Sequence, residues 1–145
     1  MKIRDRQTSE PPAKLLPPGT LLMRCEIPGR AIPWKAPTVG QYGTYKNRRL
    51  GAWQEIVGLF AGLNRRIGRP YAGPVEVAMT ARFARGPIGD ACNLLKAVED
   101  AMEGIIYIND KQVVRNGCGR SLAGYDLVTI EVKTAEPADG GKANP

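Results

Sequence analysis

The residues best suited to chemistry lie in one stretch, GDACNLLKAVEDAMEGIIYINDKQVV, residues 89–114. Asp90 sits where an extended segment gives way to a helical pattern. There the chain still alternates, so a D-x-D would aim two carboxylates at one point; here the second place is held by Cys92. At 100° per residue, Asp90, Asn93, Lys96 and Asp100 fall within about a third of the helix circumference and share one polar face. Asp110 follows from a separate turn, next to Asn109. A hard divalent cation such as Mg²⁺ is held by one or two carboxylates together with waters and phosphate oxygens. Asp90 and Asp110 offer such a pair, and the cation would polarise a phosphodiester and help generate hydroxide. Lys96 would stabilise charge developing on the phosphate or leaving oxygen. Plainer roles fit the same residues: Asp90 as a helix cap, Lys96 and Asp100 as a solvated face. The chain has no histidine, which excludes Ser-His-Asp triads and His-ligated zinc. Its three cysteines, Cys25, Cys92 and Cys118, have neither disulfide-framework nor metal-knuckle spacing. Without histidine to activate it, Cys92 is a poor nucleophile.

The elements that would position these groups are legible in outline. Leu21–Ile27 reads as a strand stopped by Pro28-Gly29. Residues 47–67 read as a helix, with Leu50, Trp53, Val57, Phe60, Leu63 and Ile67 on one stripe and Gly68 and Pro70 as its stop. Residues 74–85 alternate, with Val75, Val77, Met79, Ala81 and Phe83 on one face, as a half-buried strand does. After a GPIG turn, Asp90 opens a second helix that Gly104 ends. Gln112–Arg115 and Asp126–Lys133 read as further strands, joined by NGCGRSLAG as a flexible loop. The order β-α-β-α-β-β predicts an α+β domain of two layers, a mixed β-sheet packed by two helices, over residues 21–133. Residues 1–20, with four prolines, read as a flexible arm, and 134–145 as a disordered tail. A core this small favours a homodimer.

Charge points to the partner. Residues 1–85 carry 15 of the 21 Lys/Arg and 5 of the 14 acids, a net +10, whereas residues 86–145 carry −3. A basic half joined to a locally acidic half fits a nucleic-acid binder with its carboxylates gathered in one place. In the segment PGRAIPWKAPTVGQYGTYKNRR, the aromatics Trp34, Tyr42 and Tyr45 interleave with Arg30, Lys35, Lys46, Arg48 and Arg49. Such a mixture suits DNA contact, and equally an ordered loop with Trp34 packed on the core. No apolar run has the length of a membrane span, and the charged N-terminus lacks a signal-peptide core, so a cytoplasmic protein is expected.

The 89–114 segment resembles the signature of the RusA family of Holliday junction resolvases, D-x-D-N-L-x-K-x-x-x-D-A followed by D-D-x-x-V. Here stand Asp90, Cys92, Asn93, Leu94, Lys96, Asp100 and Ala101, then Asn109, Asp110 and Val113. EIPGRAIPWKAP, with Tyr45 and Trp53 beyond it, is similar to the family's first strand and loop, so the likeness spans roughly residues 22–133. The resemblance implies a homodimeric endodeoxyribonuclease that makes paired symmetric cuts in four-way DNA junctions with Mg²⁺ or Mn²⁺. It implies essential carboxylates at the places of Asp90, Cys92 and Asp110, and a catalytic lysine at Lys96. Two departures stand out. Asn109 replaces an aspartate with a neutral oxygen donor, and Cys92 replaces one with a sulfur that Mg²⁺ binds poorly. Charge counting therefore leaves an Asp90–Asp110 site one carboxylate short. The sequence thus carries an alternative: a junction-binding protein that cuts slowly or not at all.

Overall fold

The computed structural model describes residues 15–41, 43–45 and 47–137. Its elements are β1 (Leu21–Pro28), β2 (Thr38–Gly40), β3 (Gly43–Tyr45), α1 (Arg48–Asn64), β4 (Val75–Phe83), α2 (Ala91–Met102), a 3₁₀ turn (Asp110–Gln112), β5 (Val113–Leu122) and β6 (Leu127–Thr134). β1, β6, β4 and β5 form one sheet in that order. β4 and β5 run parallel, joined by the crossover through α2, and the other neighbours are antiparallel. Both helices contact the sheet and each other. The fold is the expected α+β arrangement of a mixed sheet packed by two helices.

Alternation builds the core. On β4, Val75, Val77, Met79, Ala81 and Phe83 are all buried, and on β6 Val128, Ile130 and Val132 face the same layer. β1 shifts register between Leu21 and Met23, so Leu22 and Met23 are buried in succession. α1 adds Leu50, Trp53, Val57 and Ala61, and α2 adds Leu94, Leu95, Ala97, Val98 and Met102. The helices meet closely at Gly58, where a Cβ would lie 3.2 Å from Ile105 Cδ1. Beside it Gln54 donates to the Ala97 carbonyl at 3.0 Å, satisfying a buried amide. α2 ends as anticipated at Gly104, whose φ of +83° favours a residue without a Cβ.

Three readings of the sequence are refined. The segment taken as a flexible loop, NGCGRSLAG, is mostly strand: β5 runs to Leu122, paired residue by residue with β4 from Glu76 to Phe83. β5 lies at the sheet edge with most side chains exposed, so it needs no hydrophobic alternation. The basic segment before α1 contains the small β2–β3 hairpin. α1 ends at Asn64, and its stripe is narrower than expected: Phe60 is half-buried and Leu63 is 75% exposed. At the margins, Thr20 and Thr134 exchange backbone bonds with their neighbours, and the Leu16 N–H reaches the Tyr71 hydroxyl at 3.0 Å. The greater part of the expected arm, residues 1–14, and residues 138–145 of the expected tail lie outside the described residues.

Candidate nuclease site

α2 is the axis of the site, and its ends differ in character. At the N-terminus Asp90 is the cap. Its Oδ2 accepts the Asn93 N–H at 3.0 Å, and its carbonyl accepts that of Leu94 at 2.9 Å. The preceding turn is held from two sides. Arg120 Nη1 donates to the Gly89 carbonyl at 2.8 Å. Arg30 donates to the carbonyls of Arg85, at 2.8 Å, and of Pro87. Arg30 also lies 3.9 Å from Asp126 and 4.9 Å from the Phe83 ring centroid. Its guanidinium therefore braces the approach to Asp90. Asp90→Ala is expected to cost about 1 kcal/mol of stability and Asp90→Asn only a few tenths, because Asn caps as well as Asp. Urea unfolding of the two variants measures this.

A cleft of about 510 Å³ opens at this end. Arg30, Trp34, Lys35, Arg49, Asp90 and Asn93 are among its walls. The loop from β1 straps across α2: the Trp34 N–H donates to the Asn93 carbonyl at 2.8 Å, and Lys96 Nζ lies 4.9 Å from the Trp34 ring centroid. Among the described residues, Lys35, Arg48 and Arg49 are exposed cations without an ion pair or hydrogen bond. Cys92, in the first turn of α2, is exposed and free of disulfide. Lys46 and Tyr42 lie outside the described residues.

The other end of α2 is acidic. Carboxylate oxygens of Asp100, Glu103 and Asp110 lie within 4.8 Å of one another. Asp100 lies in the last turn of α2 and Glu103 is the cap that ends it. Asp110 is brought to them by the turn after the helix, which Gln112 organises. Gln112 Oε1 accepts the N–H groups of Ile108, at 2.9 Å, and Asn109, at 3.0 Å, while its Nε2 donates to the carbonyls of Tyr71 and Gly73. Asn109 caps that turn, accepting the Lys111 N–H at 2.9 Å. Lys96 Nζ is 3.9 Å from Asp100 Oδ2 and so stands between the two ends. Burial pushes the Glu99 carboxyl upward; a hydrogen bond from Asn116, at 2.7 Å, partly offsets this, and the charges of Asp100 and Asp110 add to it. The Tyr107 phenol, which donates to the Glu99 carbonyl, is pushed up by burial and by the same acids. Acidic side chains are thus gathered at this end of α2.

The fold therefore separates the two carboxylates that the sequence reading pairs. Asp90 and Asp100 are ten residues apart, about 15 Å along a helix, and Asp110 lies with Asp100, so Asp90 does not join Asp110 within the chain. Asp110 instead gathers Asp100 and Glu103. Glu103 escaped notice, although its i,i+3 relation to Asp100 is visible in the sequence; Gln112 carries no signal outside the folded turn. The donor set suits the implied cofactor. Three hard oxygen ligands within 4.8 Å require only slight closure for a cation that binds oxygen at about 2.1 Å.

No helix among the described residues is long and apolar enough to cross a membrane. No curated protein sequence matches the chain. The family profile described as Endodeoxyribonuclease RusA matches residues 28–133, from the end of β1 through β6, a span that contains both ends of α2. The chain belongs to the RusA endodeoxyribonuclease family.

Proposed function

We propose that this protein is a divalent-metal-dependent endonuclease that cuts four-way DNA junctions as a homodimer, and that its metal site is the cluster of Asp100, Glu103 and Asp110. The observation that carries this reading is the polarity of α2. Three converging carboxylates stand at one end, and a cation-lined cleft stands at the other. The separation of about 15 Å is the rise of roughly four base steps along a duplex axis, at 3.4 Å each. One DNA strand laid along α2 thus has its backbone in the cleft and a phosphate at the carboxylates.

Each residue then has a task. Lys35, Arg48 and Arg49 bind phosphates, and the N-terminal dipole of α2 adds to their field. Trp34 and Asn93 fix the loop that carries Lys35 against the helix. Lys96, held near Asp100, neutralises charge on the phosphate between the two ends. Asp100, Glu103 and Asp110 hold Mg²⁺ or Mn²⁺, which when bound polarises the phosphodiester and lowers the pKa of water. Gln112 keeps Asp110 in register with α2.

The reading is tested with a synthetic four-way junction: symmetric cuts in Mg²⁺ or Mn²⁺, and a gel shift without metal. Binding with no cutting in either metal would make the protein a junction binder only. No salt-dependent binding would remove DNA from its function.

Two-fold symmetry gives each cut strand one active site. Leu59 and Leu63, 61% and 75% exposed on the outer side of α1, supply an apolar surface for the partner copy. Light scattering is expected to give twice the 15.7 kDa chain mass. Leu59→Glu with Leu63→Glu is expected to give the single-chain mass, because two charges then face the contact. A wild-type mass of one chain at micromolar concentration would contradict the dimer.

A further inference from the structure

We propose that Trp34 is a positioning residue for Lys96: the face of its indole holds the Lys96 ammonium on α2 between the basic cleft and the carboxylates, and keeps it there when a cation takes Asp100. This inference rests on the metal-cluster reading above and gives a task to an aromatic side chain that neither the carboxylates nor the cleft cations explain.

Two neighbours of Lys96 Nζ bear directly on its charge. Asp100 Oδ2 lies at 3.9 Å, and the centroid of the Trp34 ring lies at 4.9 Å. The first contact is at the outer limit of an ion pair, between side chains that are 45% and 32% exposed, so it is weak. A lysine carries its ammonium on a flexible four-carbon stem, and so weak a pair does not fix it. Indole offers the best cation–π face among side chains, effective within about 6 Å of the ring centroid. The two contacts differ in what a metal does to them. A divalent cation at Asp100 takes up the carboxylate oxygens and offsets their charge, which loosens the ion pair. The Trp34 ring has no charge to be offset, so its hold on Lys96 survives. The ring is itself held. The main-chain N–H of Trp34 donates to the Asn93 carbonyl at 2.8 Å, and Asn93 stands three residues before Lys96 on α2, a neighbour on the helix surface. Pro33 approaches the turn before the helix closely: a Cβ at Gly89 would lie 3.4 Å from Pro33 Cβ. Trp34 is partly buried against the core and also lines the cleft. Main chain and ring thus grip α2 at successive positions. An ammonium placed in this way needs no reorganisation when charge develops on a phosphate, which is the condition for electrostatic catalysis.

The test uses the full-length protein with isotope-labelled lysine side chains, read by NMR with and without Mg²⁺. The Lys96 ε-methylene, identified by its loss in Lys96→Met, is expected to resonate upfield of exposed lysines, because the indole ring shields it, and to stay upfield when Mg²⁺ is added. Trp34→Leu keeps an apolar packing group and removes the ring, so the signal is expected to move to the exposed position. In single-turnover junction cutting at saturating Mg²⁺, Trp34→Leu is expected to be about fivefold slower than wild type, the scale of one cation–π contact at a partly exposed site. Its metal-free junction binding should stay within about twofold. Trp34→Phe retains a weaker face and is expected to recover all but about twofold of the rate. In a Lys96→Met background, followed over longer times, Trp34→Leu is expected to cost nothing further, because the ring then has no ammonium to place. A role in packing alone would slow both backgrounds equally and would overturn the proposal. The wild-type signal decides the contact even if Trp34→Leu fails to fold. If Lys96 resonates with the exposed lysines in wild type, or returns to them on adding Mg²⁺, Trp34 does not hold it, and the nuclease reading stands on cutting alone. If Trp34→Leu weakens metal-free binding about fivefold and leaves the single-turnover rate unchanged, Trp34 is a DNA contact and not a positioning residue. If wild type cuts in neither Mg²⁺ nor Mn²⁺, the metal reading fails and this proposal falls with it.

Discussion

Asp110→Asn is expected to lower the rate of Mg²⁺-dependent junction cutting by about 100-fold or more while junction binding survives. The substitution keeps the size and the turn but removes one of the three charges that converge at the proposed metal site. A cation held by fewer carboxylates is bound more weakly and sits less well, and misplacement of about 1 Å can itself cost ~100-fold. Asp100→Asn and Glu103→Gln should act in the same direction, because their oxygens lie within the same 4.8 Å group. Binding without metal should strengthen slightly in each case, since a charge that repels phosphate is gone. Single-turnover cutting beside gel shifts separates the two effects, and a cutting rate within threefold of wild type for all three variants would take the metal away from this cluster.

The same experiment decides the role of Cys92. Counting from the sequence, the Cys at this place leaves the site short of a charge; in the fold, Asp100 and Glu103 make up the number around Asp110. Cys92→Asp is therefore expected to change Mg²⁺-dependent cutting by less than about threefold. A rise of about 100-fold would instead place metal chemistry at the Asp90 end of α2. Because Asp110 lies with Asp100, about 15 Å along α2 from Asp90, Asp90 and Asp110 would then meet across two protomers. Mixing Asp90→Asn and Asp110→Asn subunits would report this directly: for a site shared between protomers both homodimers are inactive and the mixed dimer regains one intact copy, whereas for a site of Asp100, Glu103 and Asp110 alone the Asp90→Asn homodimer already cuts.

The second large effect concerns salt. Combined Lys35→Ala, Arg48→Ala and Arg49→Ala is expected to flatten the log–log dependence of binding on salt by nearly three, at about 0.9 per phosphate contact. Changing Arg48 and Arg49 alone should account for about two of those units. The three cations have no partner among the described residues, so their removal leaves no buried charge behind and the fold should melt as before. Arg30 behaves differently. Its donors are taken up by Arg85, Pro87 and Asp126, so Arg30→Ala should lower stability by loosening the turn before Asp90. Affinity measured from 50 to 200 mM salt checks the slope, and an unchanged slope in the triple variant would exclude these residues from the footprint.

The sequence by itself determined what periodicity and local chemistry control. Alternation from Val75 to Phe83 and from Val128 to Val132 specified the central strands, because one face of each is buried. The Asp90 cap and the Gly104 stop delimited α2, because helix ends are decided by a few neighbouring residues. The spacing of Asp90, Asn93, Lys96 and Asp100 announced a polar face and carried the family. Tertiary structure decided the rest. β5 is a strand only because β4 offers it a parallel ladder; its own side chains, exposed at the sheet edge, show no burial pattern. The partnership of Asp110 with Asp100 and Glu103 was decided by the Gln112 turn, whose bonds reach back to Tyr71 and Gly73, some forty residues earlier. Pairing of carboxylates depends on which end of a helix a returning chain meets, and that is a property of the packed fold rather than of spacing along the chain.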